Sequence, residues 1–216
     1  ALGAEYKGKK VGTIGDVGCF SIGGDMTKTI TTGEGGMIIT NNNEIADKCR
    51  NLRNHGEKNG CNYLCLNYRL SDLQAVVGLV QMKKLQFYID WQVSNAKYLI
   101  SGLPDCLEAP EPPSHTKPVF YIIGCRFSSV IAGRTRNGFL EAIKEKGFEG
   151  GMPRRNVGPG YSKLIYEIPF YKPFAGNCPV AEKKVAESVW IDWHRYPRTT
   201  EEIDEFLSVL KRVSNL

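Results

Sequence analysis

The stretch Gly15-Asp-Val-Gly-Cys-Phe-Ser-Ile-Gly-Gly-Asp-Met-Thr-Lys-Thr-Ile-Thr-Thr-Gly-Glu-Gly-Gly36 decides how this chain is read. Two apolar runs, Val17 to Phe20 and Met37 to Ile39, have the length and content of buried strands, and the polar, glycine-rich segment between them carries Lys28. Such a loop can hold Lys28 pointing into a cleft instead of water. A lysine attacks carbonyls when desolvation or a neighbouring cation lowers its pKa enough to leave free amine near neutral pH. Lys28 therefore reads as an imine-forming lysine. Taken alone, a lysine beside a glycine-rich turn is more often a solvated surface residue, since lysine is rarely buried without cause. The rest of the chain has to choose between the two.

Further blocks recur in order along the chain: Gly8-Lys-Lys-Val-Gly-Thr-Ile-Gly15 before the lysine loop, then Leu52-Arg-Asn-His-Gly56, Asn67-Tyr-Arg-Leu-Ser-Asp-Leu-Gln-Ala75, Gly78-Leu-Val-Gln81 and Trp193-His-Arg-Tyr-Pro-Arg-Thr199, the last followed by an acidic helix. Together with Thr27-Lys-Thr-Ile-Thr-Thr-Gly-Glu-Gly-Gly-Met37 they resemble the DegT/DnrJ/EryC1/StrS aminotransferases, the sugar aminotransferases. The resemblance spans nearly the whole chain, and several ordered blocks are far more specific than one glycine motif. It implies an α/β protein of PLP-dependent transferase fold type I, aspartate aminotransferase-like, with pyridoxal 5′-phosphate as cofactor.

By that resemblance Lys28 holds the cofactor as a Schiff base, is released when an amino donor takes its place, and then moves a proton between the donor's α-carbon and the cofactor's C4′ carbon. Ser21 matches the family serine that binds the cofactor phosphate, although it lies farther from Lys28 than the usual family spacing; Thr27 or the amides around Gly23 and Gly24 can serve instead, and a capping or solvated serine is the other reading. Asn67 matches the asparagine that reaches the cofactor phosphate of a neighbouring subunit, which implies a homodimer with shared active sites; as a bare residue it is a turn former. His55, in an Asn-His-Gly turn, and Arg69 are candidates for substrate contact, Arg69 having an ion pair with Asp72 or another carboxylate as its alternative. Tyr161, within Asn156-Val-Gly-Pro-Gly-Tyr-Ser-Lys-Leu-Ile-Tyr166, is the candidate contact of a loop closing over a sugar ring, or part of an ordinary surface connection. Glu34 is expected to fix its turn through backbone amides.

The reaction implied is transfer of an amino group from glutamate or glutamine to a keto-sugar, nucleotide-linked in many family members, or to a cyclitol ketone. A sister group of sugar dehydratases carries histidine in place of the lysine, so Lys28 points to transamination. The family's aspartate that pairs with the pyridine nitrogen, and its phosphate-binding turn, would precede Ala1, so the chain is expected to be an N-terminally truncated member. A catalytically incomplete homologue that binds a ligand or partner without turnover is the alternative from another class.

Composition restricts the remaining classes. With 42% apolar residues and 24% charged ones among its 216, the chain can bury a core, and its apolar runs are too short for a membrane span. The net charge of +5 is spread along the chain, with no nucleic-acid motif, so an ordinary surface and small-molecule partners are expected. Seven cysteines at irregular spacing, an odd number, read as reduced thiols of a cytoplasmic protein. His55, His115 and His194 form no ligand motif, and no metal is expected; His194, beside Trp193, reads as a packed residue.

The prolines at 104, 110, 112 and 113 mark a boundary, giving residues 1–105 as the C-terminal part of a large cofactor-binding domain and 106–216 as a small α/β domain. A helix is expected from Glu44 to Arg53 after the Asn41-Asn-Asn43 cluster. Residues Ser71 to Ile100 read as one or two helices, capped by Ser71, with Leu73, Val76, Val77, Val80 and Leu85 on one face. Beyond the prolines come a strand from Val119 to Phe127, a helix from Arg136 to Lys146 ending at Gly147, and a C-terminal helix from Glu201 to Val213.

Overall fold

The computed structural model describes residues 1–24, 28–57, 62–148, 150–151, 154–155, 157–160, 163–174 and 176–214. In chain order the elements are β1 (Glu5–Tyr6), β2 (Lys9–Lys10), β3 (Gly18–Ser21), β4 (Gly36–Ile39), α1 (Asn43–Arg53), α2 (Asp72–Ser101), β5 (Leu107–Glu108), β6 (Thr116–Lys117), β7 (Ile123–Phe127), α3 (Ser129–Ala132), α4 (Arg136–Glu145), β8 (Gly150–Gly151), β9 (Arg154–Arg155), β10 (Val157–Gly158), α5 (Pro179–Glu187), β11 (Ser188–Ile191) and α6 (Thr200–Ser214). They form two compact units, residues 1–89 with 112–121, and residues 90–111 with 122–214. The division falls inside α2, and the far end of the proline-rich segment joins the first unit, whereas the sequence placed a single division between 105 and 106.

In the first unit, β3 and β4 pair antiparallel with Gly18 opposite Ile39 and Ser21 opposite Gly36. The expected strands are present, but Met37 and Ile38, which successive strand positions place on opposite faces of the two-stranded ribbon, are exposed where burial was expected. Helix α1 starts where the asparagine cluster predicts: Asn42 Oδ1 accepts the amide N–H groups of Glu44 (2.9 Å) and Ile45 (3.2 Å), satisfying two of the donors a helix start leaves open. A small sheet in the order β2-β1-β6 brings the segment 112–121 alongside the chain start, with Glu5 opposite both Lys10 and Lys117. The Lys10 ammonium, 2.6 Å from Glu5 Oε1, holds that exposed carboxyl below its ordinary range.

Helix α2 is one continuous helix of 30 residues. Its start is a capping box: the Gln74 amide donates to Ser71 Oγ (3.3 Å), and Gln74 Oε1 accepts from the Ser71 amide (3.1 Å). The apolar face foreseen at Leu73, Val76, Val77 and Val80 is exposed; apart from Gly78, the buried positions come later, at Ile89 in the first unit and at Gln92, Asn95, Ala96 and Leu99 in the second. Periodicity identified the helix; it could not say which of its apolar turns would be covered.

The second unit is built on an antiparallel sheet in the order β10-β11-β7-β5. Ile123, Cys125 and Phe127 alternate inward on β7, as do Val189 and Ile191 on β11, and meet Phe139 and Ile143 of α4 and Ile203, Phe206 and Leu210 of α6 in the core. The expected strand from Val119 begins only at Ile123. Phe120 has φ +49°, a left-handed conformation that no strand residue adopts and that a bulky side chain rarely takes. The helices α4 and α6 lie where the sequence places them.

The Trp193–Thr199 block is structural. His194 is fully buried, the Arg198 guanidinium lies 3.8 Å from the Trp193 ring centroid, and the Arg198 carbonyl accepts from Trp91 Nε1 (3.1 Å) and Asn95 Nδ2 (2.8 Å) of α2. These contacts fix a loop with no regular backbone pairing of its own.

Candidate active site

The loop between β3 and β4 is closed by backbone pairing that continues past the strands. The Ile22 amide donates to the Gly35 carbonyl (3.0 Å), Thr32 to Ile22 (2.8 Å) and Gly24 to Gly33 (2.5 Å). Thr32, itself buried, adds hydroxyl bonds to the Ile22 and Glu34 carbonyls, and Thr31 Oγ1 donates to the Gly24 carbonyl and accepts from the Gly33 amide. At Gly23 a β-carbon would lie 2.5 Å from the Gly35 nitrogen, so only glycine lets the two arms approach this closely.

Lys28 is half-buried in this loop, and its Nζ lies 4.8 Å from the centre of the Tyr121 ring. The lysine singled out by sequence is thus held by an over-determined backbone and faces an aromatic surface. Ser21 is the last residue of β3, exposed and opposite Gly36, at the entry to the same loop. Thr27, the alternative phosphate ligand, lies outside the described residues, as does Tyr161.

His55, Asn67 and Arg69 form a second group. Asn54 and Asn67 are bridged antiparallel, the His55 amide donates to the Leu66 carbonyl (3.2 Å), and the Arg69 guanidinium donates to Asn54 Oδ1. Arg69 therefore orients an asparagine where pairing with Asp72 was one expectation. Asn67 Oδ1 accepts from the Arg69 amide (3.3 Å), so the donating end of its side-chain amide points elsewhere. His55 is exposed with φ +58°.

The chain leaving this group buttresses the lysine loop. Gln74 Nε2 donates to the Glu34 carbonyl (2.9 Å), and a β-carbon at Gly78 would stand 3.0 Å from Thr32 Cγ2. Glu34 thus works through its carbonyl here, where its carboxylate was expected to act. Sequence reasoning missed Gln74 and Tyr121 as parts of the site. Gln74 stood in a recognised block, but nothing in its spacing pointed to residue 34, and Tyr121 was assigned to a strand.

A groove of about 1030 Å³ also lies in the first unit, lined by Phe20 and Met37 of the β3–β4 ribbon, Cys49 and Arg53 of α1, and Leu64 and Tyr68. None of the described candidate site residues lines it. Among the described residues there is no group of histidine, cysteine and acidic side chains that could hold a metal.

The arrangement fits an amine-binding cofactor with a phosphate tail. The half-buried Lys28 has its amine beside an aromatic ring, and the Ser21 hydroxyl stands at the loop entry.

The profile of the DegT/DnrJ/EryC1/StrS aminotransferase family matches residues 1–211, and the chain belongs to that family. It is 28% identical to GDP-perosamine synthase of Caulobacter vibrioides over 99% of its length and 56% of that protein. It is 31% identical to UDP-N-acetyl-3-dehydro-alpha-D-glucosamine 3-aminotransferase of Acidithiobacillus ferrooxidans over 98% of its length and 54% of that protein. The chain therefore spans about half the length of the curated relatives it matches. Among solved structures, S. venezuelae DesV in complex with a ketimine intermediate superposes with a TM-score of 0.84 over 100% of this chain and 56% of that one, at 22% identity. At that identity the likeness shows the fold, and the fold is the α/β fold of the family's aminotransferases, as the sequence led us to expect.

Proposed function

We propose that the protein is a pyridoxal-phosphate-dependent aminotransferase that moves an amino group from glutamate or glutamine to a keto-sugar or cyclitol ketone. The observation that carries this is Lys28, half-buried in a loop closed by backbone pairing on both arms. The GDP- and UDP-linked sugars in the names of the relatives support a nucleotide-linked acceptor.

When bound, the cofactor supplies an electron sink next to the reacting carbon. Lys28 Nζ would hold it covalently and, when free, would act as the base that moves a proton at the reacting carbon. Ser21 and Asn67 bind its phosphate as hydrogen-bond donors, and Arg69 and His55 meet the substrate. Residues 1–105 serve as the C-terminal part of the cofactor-binding domain and 106–216 as the small domain. Asn67 acts on the site of a second copy, which makes the working form a homodimer. A cytoplasmic setting is supported by the free thiols at the described cysteines, and no described helix is long and apolar enough to cross a membrane. A ligand-binding role without turnover is not favoured, since the relatives named above are a synthase and an aminotransferase of sugars.

Adding pyridoxal phosphate, reducing with borohydride and mapping the modified peptide tests the central assignment. The adduct is expected on Lys28 and is lost in Lys28→Ala; persistence of the adduct in that variant would show that another lysine is the nucleophile. Site sharing is tested with mixed dimers of Lys28→Ala and Asn67→Ala subunits. Each variant alone is expected to be inactive and the mixture to regain activity; no recovery removes the support for a shared site.

A further inference from the structure

The chain from Thr116 to Tyr121 is anchored closely on its way to Lys28. Lys7 donates its amide to the His115 carbonyl (2.7 Å), β6 pairs with β1, and Val119 is buried at 4% exposure. Then Phe120 takes φ +49°. A left-handed phenylalanine is strained and persists only where its surroundings enforce it. The turn at Phe120 interrupts the extended chain directly before Tyr121, whose ring face meets the Lys28 ammonium with 4.8 Å between Nζ and the ring centre.

We infer that Tyr121 is a positioning residue for Lys28, its ring face holding the ε-ammonium in the lysine's unattached state. This rests on the role proposed for Lys28. A lysine that alternates between covalent attachment and a free, proton-carrying amine needs a resting place near its target that it can leave again. An aromatic face provides one, because it attracts a cation through its quadrupole without the stronger hold of a carboxylate. Tyr121 is 40% exposed, so the attraction is of the modest, partly solvated kind.

The test uses the 216-residue chain and two variants, Tyr121→Phe and Tyr121→Leu, with two readouts. In NMR spectra of the chain without added cofactor, the Lys28 Hε signals, assigned by their loss in Lys28→Ala, are expected upfield because they lie over a ring. That displacement should persist in Tyr121→Phe and vanish in Tyr121→Leu. In borohydride trapping with pyridoxal phosphate, Tyr121→Leu is expected to form the Lys28 adduct about two- to fivefold faster, because the contact stabilises only the unattached ammonium and that factor is the rate equivalent of an exposed cation–π contact. Tyr121→Phe should match the parent chain. Lys28 signals without ring displacement, or signals and trapping rate unchanged by Tyr121→Leu, overturn the inference; so does a Phe variant as fast as the Leu variant. An adduct on a different lysine in the parent chain overturns the role of Lys28 itself, and the NMR displacement still reports whether the contact exists.

Discussion

Cys125 shows at the residue scale what burial does to a thiol. It points inward from β7, and desolvation, with Cys106 close by as the smaller cause, pushes its ionisation up to about 12 from 9.0. The unfolded chain therefore loses this proton first as pH rises. Stability should be fully present below about 9 and fall between about 9 and about 12, with a slope of about 1.4 kcal/mol per pH unit from this group alone. Urea titrations of the parent chain and Cys125→Ala across that window check the sign: the parent should lose stability more steeply. The same burial predicts that a thiol reagent labels the exposed Cys19 and Cys178 in the native chain and leaves Cys125 unmodified. Lys28 is the counterpart at the site. Its sequence setting identified it, but only the fold supplied Tyr121.

Among elements, the start of α2 does two jobs at once. Gln74 completes the capping box with Ser71 and, through Nε2, ties the helix to the Glu34 carbonyl in the lysine loop. Gln74→Ala should cost about 1 kcal/mol in urea denaturation, the usual loss for a cap, and should speed hydrogen exchange at the Gly24 and Thr32 amides that close the loop. Gln74→Glu keeps the acceptor for the cap and removes the donor to Glu34. It should therefore spare most of the stability and still loosen those amides. Equal exchange rates in all three chains would show that the loop stands without this tie. The cap was legible because both of its members lie within one helical turn; the tie to residue 34 was not, because 40 residues of chain separate donor from acceptor.

For the whole molecule, both units leave large apolar side chains exposed, the second at Val130, Phe170, Phe174 and Val180. The second has a closed core around Phe139, Phe206 and Leu210, each essentially inaccessible. The first leaves Met37, Ile38, Leu64, Val76 and Val80 exposed, on the β3–β4 ribbon, the turn after α1 and the first turns of α2. Surface of this kind on one body favours association. Sedimentation velocity is expected to show concentration-dependent self-association of the chain. Val76→Glu with Val80→Lys should weaken it, while the far-ultraviolet spectrum stays unchanged because neither side chain belongs to a core. A strictly monomeric parent chain at all concentrations would contradict this.

The sequence by itself determined the family and the helices α1, α2, α4 and α6, because each is written in local terms. Periodicity and an asparagine or serine before a helix act within a few residues of one another, and each block of the ordered set is read within its own short stretch. The expected limits of α1, α4 and α6 agree with the structure to within a residue or so at each end for that reason. Tertiary structure decided what depends on distant partners. It fixed the strand order β10-β11-β7-β5, the late start of β7 after the left-handed Phe120, the exposure of the first apolar turns of α2, and the meeting of Lys28 with Tyr121. An apolar residue carries the same local signal whether or not something packs on it, and a tyrosine 93 positions from a lysine carries no local signal of facing it. Only the closing of the chain supplies those partners.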